Sequence, residues 1–353
     1  MLIFIPIFLC ILYWRKYGRI SNDIIYKRCL ENIYSGCFDL EAYRSKYNNI
    51  IPWMYTYRSL NTFCRRNLDL IIGDNIFYYL QNDKIALSRF LNIYGFKRPL
   101  NILSCRSKQD KTTVLSILNR YFRKNGGGNN LILKPSNLSY SEGVAFLKSE
   151  ADLSEEMIDH CYKYNCSFTE GSCMRNYEGK RGLVIQEALK DTEHVINEWK
   201  IMYIWGVPIV ILWKIGHVHR YKIMTADYKV IYKERHHGKN ICIHPGIPAF
   251  AAEMLEEGER LCKITGAPFL RVDMLWNDET YIVNETELLP SNYMFLPYEK
   301  LMMDLLKIPF HVIQPRAHTY IYEAFAYAYY LFHYIEYRIR RLNISGLYKN
   351  LKH

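Results

Sequence analysis

From residue 82 onward the chain alternates between a helical and a strand-like hydrophobic rhythm. Lys84–Tyr94 (KIALSRFLNIY) carries apolar residues at Ile85, Leu87, Phe90, Leu91 and Ile93, the spacing of an amphipathic helix, and Gly95 stops it. Pro99 precedes an apolar segment, Leu100–Leu103. A second helical stretch, Lys111–Arg123, leads through the glycine-rich loop Asn125–Asn130 into a short strand at Leu131–Lys134. After a polar loop comes the apolar run Val144–Leu147; residues 152–164 read as a helix, and Leu183–Ile185 reads as a strand ending in Gln186-Glu187. Trp199–Trp205, Pro208–Lys214 and Tyr221–Met224 read as antiparallel strands, with Gly206 at the first turn. Ala249–Thr265 reads as a helix, and Phe269–Trp276 and Thr280–Val283 as strands joined at Asn277-Asp278. Helices interspersed with hairpins predict an α+β architecture.

The two ends differ from this middle. Residues 2–14 (LIFIPIFLCILYW) are apolar throughout and are followed by Arg15, Lys16 and Arg19. Such a run is shorter than the ~20 residues of a spanning helix and lacks the basic start and small-x-small cleavage site of a signal peptide. Basic residues after the run predict a short anchor that keeps the body of the protein on the cytoplasmic face of a membrane; a buried N-terminal strand or helix is the alternative. Residues 20–80 carry no recognisable chemistry. Tyr320–Arg341 is helical in pattern, aromatic, and ends in IEYRIRR, which suits a helix packed on the body of the protein or one lying at a membrane surface.

Composition narrows the classes. At 353 residues the chain accommodates two or three subdomains, and 50% hydrophobic with 23% charged residues describes a globular protein. The net charge of +11 is scattered apart from short clusters, with no zinc-finger spacing and no basic–aromatic RNA-binding pattern, so no nucleic-acid partner is expected. Ten cysteines at irregular spacing, without a CxxC pair, read as reduced thiols. His217, His219, His236 and His237 lack neighbouring carboxylates and are not read as a zinc site.

Three groups carry chemistry. In LILKPSNLSYSEGV (131–144), a lysine ends a strand and a Ser/Gly loop follows. Lys134 supplies a point charge for phosphate, and the loop supplies backbone N–H groups and the hydroxyls of Ser136, Ser139 and Ser141. No GxxxxGK[ST] loop is present. The second group is Asp273, with Glu285 twelve residues later and Glu287 sharing its face through the two-residue period. Three converging carboxylates repel unless a cation lies among them, and hard oxygen ligands that leave room for phosphate suit Mg²⁺ or Mn²⁺. The third is VIQEAL (184–189), a strand end whose backbone can meet an adenine edge, with Glu187 beside the exocyclic amine.

Together these groups resemble the ATP-grasp superfamily. Lys84–Pro99 is similar to its early lysine-led helix, Lys134–Gly143 to its second lysine and loop, and Gln186, Glu187 and Leu189 to its adenine hinge. Glu198 in NEWKI matches its ribose-binding acid, and Asp273 with ETELLP (285–290) its metal motif. Within the superfamily, RGLVIQEAL, EWKIMYIWGVPIVI and FLRVDMLWNDETYIVNETEL resemble the teichuronopeptide-biosynthesis type. The resemblance covers roughly residues 80–297. Glu287 stands where many members have Asn, and the phosphate loop is poor in glycine. The implied protein is a two-lobed, Mg-ATP-dependent carboxylate–amine ligase working through an acyl phosphate, with a glycan, peptide or other cell-surface precursor as acceptor. Lys84 and Lys134 would hold phosphates. Arg271 would stabilise the acyl phosphate, with Lys214 and Arg220 as second choices, and Lys200 would pair with Glu198 or reach phosphate. The implied division is an anchor (1–19), a preceding region (20–105), a small lobe (106–185), a large lobe with the metal site (186–312) and a C-terminal helix (313–353). The rival readings are a kinase on the same scaffold, acting on a small molecule or sugar, and a non-catalytic membrane-surface binding protein.

Overall fold

The computed structural model describes residues 22–40, 83–106, 108–125, 130–136, 143–164, 182–189, 197–215, 220–233, 246–288 and 296–306. The apolar N-terminal run, Ser139, Ser141, the four histidines and the C-terminal aromatic segment lie outside these residues. No helix among the described residues is long and apolar enough to cross a membrane.

A four-stranded antiparallel sheet forms the smaller layer. Its strands are β1 (Asn101–Cys105), β2 (Leu131–Pro135), β3 (Ala145–Leu147) and β4 (Leu183–Glu187), in the order β1-β4-β2-β3. Strand alternation gives the sheet two different faces. Leu131, Leu133, Leu183 and Ile185 are buried against helices α3 (Lys111–Lys124) and α4 (Glu155–Tyr164), and α3 meets them with the stripe Val114, Leu118 and Phe122. The opposite face carries Ile132 beside Gln186 and Lys134 beside Val184. The sheet takes in β1, ahead of residue 106, and runs through Glu187. Gly182 allows this closeness: a Cβ there would lie 2.2 Å from the Cys105 carbonyl oxygen.

The larger sheet has six antiparallel strands in the order β10-β9-β5-β6-β7-β8: β5 (Asn197–Ile204), β6 (Val207–Ile215), β7 (Arg220–Thr225), β8 (Val230–Lys233), β9 (Phe269–Trp276) and β10 (Tyr281–Glu287). One face packs Trp199, Ile201, Tyr203, Trp213, Val272, Met274 and Trp276 beneath α5 (Ala251–Thr265) and α2 (Lys84–Ile93). The other face presents Met202, Ile204, Val210, Leu212 and Phe269 to α1 (Asn22–Tyr34) and α6 (Leu296–Leu306). Trp205 and Gly206 close the β5–β6 hairpin with φ of 50° and 73°, the doubly left-handed geometry of a type I′ turn. Trp205 is thus a turn residue rather than the end of a strand. Its indole donates to the Leu305 carbonyl at 2.9 Å, and its own carbonyl accepts from Asn32 Nδ2 at 2.8 Å, so both covering helices are tied to this turn.

Helix α2 joins the two layers. Asp83 caps it by accepting from the backbone N–H groups of Ile85 and Ala86, and also pairs with Arg106 at 3.0 Å. The Lys84 N–H donates to the Ser136 carbonyl at the end of β2. At the other end of the helix, Leu91 and the following Phe96 sit in the large-sheet core, and Arg260 of α5 donates to the Tyr94 carbonyl.

Candidate nucleotide and metal site

The apolar patch under α1 and α6 occupies only part of its face of the large sheet. Farther along the same face, the sequence changes to charge. On β5, Glu198 and Lys200 continue the phase of Met202; on β9, Arg271 and Asp273 do so opposite them, with Lys200 paired to Asp273 and Met202 to Arg271. Lys214 on β6 lies opposite Glu198.

Strand β10 joins this face through an irregularity. Tyr281 and Val283 pair with Trp276 and Met274 and are buried in the core beneath α5. Strict alternation would carry Glu285 and Glu287 into that same core. The register shifts between Val283 and Glu285, so Asn284 is the extra residue of a β-bulge, and the next pairs are Glu285 with Asp273 and Glu287 with Arg271. The strand also extends to Glu287, so Glu285 lies within it rather than just past it. As a result, ligand oxygens of Asp273, Glu285 and Glu287 all lie within 4.8 Å of one another. Three acidic oxygens so placed fit the donor set of a hard divalent cation such as Mg²⁺.

Each carboxylate also faces a cation of the chain. Arg271 forks onto Asp273, Nε to Oδ1 at 2.7 Å and a terminal nitrogen to Oδ2 at 3.0 Å, and reaches Glu287 at 2.7 Å. Lys200 bonds Asp273 Oδ2 and pairs with Glu198 at 3.0 Å. Lys84 pairs with Glu285 at 3.4 Å, and Lys214 with Glu198 at 3.4 Å. Burial alone would raise the Asp273 carboxyl, but Arg271 and Lys200 outweigh it and hold it below the usual carboxylate range. Glu285 is lowered in the same way, its burial outweighed by Lys84 and Lys134. Glu287 is raised to about 6, because burial there exceeds the help from Arg271.

Lys134 approaches from the small sheet. It is buried, and its ammonium donates to Asn284 Oδ1 at 3.3 Å, so the bulge residue also links the two sheets. Burial, then the neighbouring Lys84 charge, bring its pKa down to about 8. Lys84, Ser88, Lys134, Gln186, Val283 and Asn284 line a small cleft between the layers.

The structure separates the hinge residues from one another. Gln186 faces this cleft and is held by Asn101, to whose Oδ1 its amide donates at 2.7 Å; Asn101 in turn donates to Ser88 at 2.9 Å. Glu187 points the other way, accepting a short hydrogen bond from Tyr121 of α3, and its N–H is taken by the Leu100 carbonyl. The side chain offered to the cleft by this strand end is therefore that of Gln186, not Glu187. Leu189 lies just beyond β4 and is half-buried. Ser136 is buried, its N–H donating to the Gly182 carbonyl and its own carbonyl accepting from Lys84. Arg220 begins β7, and its side chain lies outside the described positions. Two contributors escape a reading by motif: Asn101, which has no signature of its own, and Asn284, whose place depends on the bulge. Lys200, expected to pair with Glu198 or reach phosphate, makes the pair with Glu198 and bonds Asp273 as well.

No protein-family profile matches the sequence, and no curated protein matches it. Among solved structures, the chain is similar to D-alanine–D-alanine ligase from Helicobacter pylori at 18% identity, covering 65% of this chain and 61% of that one with a TM-score of 0.39. It is similar to the RimK domain protein ATP-grasp from Sphaerobacter thermophilus at 12% identity, with coverages of 65% and 67% and a TM-score of 0.40. It is also similar to D-alanine–D-alanine ligase from Bacillus anthracis complexed with ATP, at 16% identity, with coverages of 66% and 67% and a TM-score of 0.41. The chain thus spans about three-fifths of the length of the Helicobacter pylori enzyme.

Proposed function

We propose that this chain is an ATP-dependent carboxylate–amine ligase of the ATP-grasp type, holding nucleotide between its small and large sheets. One observation carries the reading: Lys134 from the small sheet and Lys84 from the connecting helix converge on a face where Asp273, Glu285, Glu287 and Arg271 are gathered. Two lysines suit phosphate oxygens, and the carboxylate trio fits the cation that accompanies a nucleotide triphosphate. When bound, Mg²⁺ would neutralise charge on the phosphates; Asp273, Glu285 and Glu287 would hold it.

The chain's own residues then have separable roles. Lys84 and Lys134 orient the phosphate chain, and Gln186, fixed by Asn101, meets the base. Glu198 accepts from the ribose hydroxyls. A substrate carboxylate oxygen attacks the γ-phosphorus, ADP leaves, and an acyl phosphate forms. An amine then adds to the acyl carbon, loses a proton, and displaces inorganic phosphate as the amide forms. Arg271, a buried guanidinium, stabilises the negative charge of the acyl phosphate and of the tetrahedral adduct. Positioning and charge neutralisation supply the acceleration.

The finer assignment is a ligase of the teichuronopeptide-biosynthesis type, acting on a glycan, peptide or other cell-surface precursor at the cytoplasmic face of a membrane. The three sequence stretches quoted above and the apolar run at residues 2–14 with its basic flank support it.

The test has two stages. Thermal unfolding of the full chain with Mg-ATP should show a midpoint rise of roughly 2–8 °C at ~100 times the dissociation constant. Asp273→Asn and Lys134→Met should abolish the rise. A panel of carboxylates is then incubated with Mg-ATP and hydroxylamine. ADP release accompanied by hydroxamate identifies the acyl phosphate, whereas phosphate left on a hydroxyl without hydroxamate would make the protein a kinase and end the ligase reading.

A further inference from the structure

Both oxygens of Asp273 are already taken. Arg271 holds Oδ1 and Oδ2 as a fork, Lys200 also bonds Oδ2, and the carboxylate is fully buried. Glu285 pairs through Oε1 with Lys84 at 3.4 Å, and Glu287 through Oε1 with Arg271 at 2.7 Å. Among the described residues around them, Lys84, Lys134, Lys200, Lys214 and Arg271 supply five positive charges, against four negative ones from Glu198, Asp273, Glu285 and Glu287. A carboxylate trio alone would draw in a free divalent ion, but this one is enclosed in a slight excess of positive charge.

We infer that the site admits its divalent cation only together with nucleotide, and that Lys200 is the residue that enforces this order. The inference rests on the nucleotide-binding reading above. Polyphosphate brings the negative charge that a free ion lacks, and it gives Lys84 and Arg271 other oxygens to bind. Lys200 has no such freedom. It sits on β5, between β9 and β6 in the sheet, pinned between Asp273 and Glu198, with little solvent exposure. Its charge stays beside Asp273 and opposes any ion that arrives without phosphate. Lys200 is thus a positioning residue: it acts on the metal through Asp273 and keeps the trio from filling with adventitious ions.

The test uses the full chain and reads binding rather than turnover. Mn²⁺ is titrated without nucleotide and followed by the electron paramagnetic resonance signal of the free ion. Separately, a non-hydrolysable ATP analogue is titrated by calorimetry with Mn²⁺ and with chelator. The wild type is expected to leave Mn²⁺ free when alone, and to bind the analogue far better with metal than without. Lys200→Met is expected to bind Mn²⁺ alone at least ~10-fold more tightly than the wild type, because a unit charge beside the ion is gone. Lys200→Arg keeps the charge and is expected to match the wild type; thermal unfolding of each variant establishes that it is folded. Wild-type protein that binds Mn²⁺ equally well with and without nucleotide overturns the inference, as does a folded Lys200→Met with unchanged affinity. In both cases analogue binding persists, so the nucleotide reading survives. Folded wild type that ignores the analogue under every metal condition overturns both.

Discussion

Replacing Lys134 by Met should make the nucleotide-free protein more stable while destroying its affinity for nucleotide. Lys134 is only 6% exposed, and the Lys84 charge acts on it. Its pKa falls from 10.5 to about 8, with burial the larger cause and Lys84 the second. At 1.36 kcal/mol per pKa unit, holding this ammonium charged in the folded state costs about 3 kcal/mol. The sign follows from proton counting. Between pH 8 and 10.5 the unfolded chain keeps the proton and the folded one has lost it, so wild-type stability rises with pH across that window. Below pH 8 the penalty is present in full. Methionine is close in shape and uncharged, and it leaves Asn284 Oδ1 without its donor, a loss of about 1 kcal/mol. The net gain at pH 7 is therefore about 2 kcal/mol, fading as pH approaches 10.5. Urea denaturation at pH 7 and pH 10 measures it, with nucleotide titration of the same samples. A variant less stable than the wild type at pH 7, by an amount that does not change with pH, would refute the reasoning and make Lys134 a structural residue.

Two other predictions concern the hinge and the core. Gln186→Ala should weaken nucleotide binding by roughly 10-fold through loss of a cleft-facing hydrogen-bond group, whereas Glu187→Ala, whose carboxylate is turned toward Tyr121, should leave affinity within about 2-fold; isothermal titration of both variants decides between the faces of β4. Gly258→Ala would set a Cβ 2.0 Å from the Tyr203 hydroxyl oxygen and 2.3 Å from its ring carbon, in the core between α5 and β5. It should destabilise by about 1–3 kcal/mol despite alanine's better helix propensity, as read from the urea midpoint.

The sequence by itself determined much of the scaffold and most of the site's chemistry. Period-2 and period-3.6 patterns suffice for most strands and helices between Lys84 and Val283, though not for β8, because most elements have one face that must be buried and one that must not. The pairing of Arg271 with Asp273 follows from the same alternation, since residues two apart on a strand share a face. The tertiary structure alone decided which side each end of β10 would serve. A one-residue bulge at Asn284 reverses the phase of the strand, and nothing in the letters YIVNETE distinguishes a bulged strand from a regular one. That bulge moves Glu285 and Glu287 from the core beneath α5 to the face of Asp273, and it gives Lys134 its partner across the cleft. The opposed directions of Gln186 and Glu187 were also out of reach of the letters. Alternation requires neighbours to point apart, but which one meets the cleft depends on where α3 packs, and contacts between residues distant in sequence fix that.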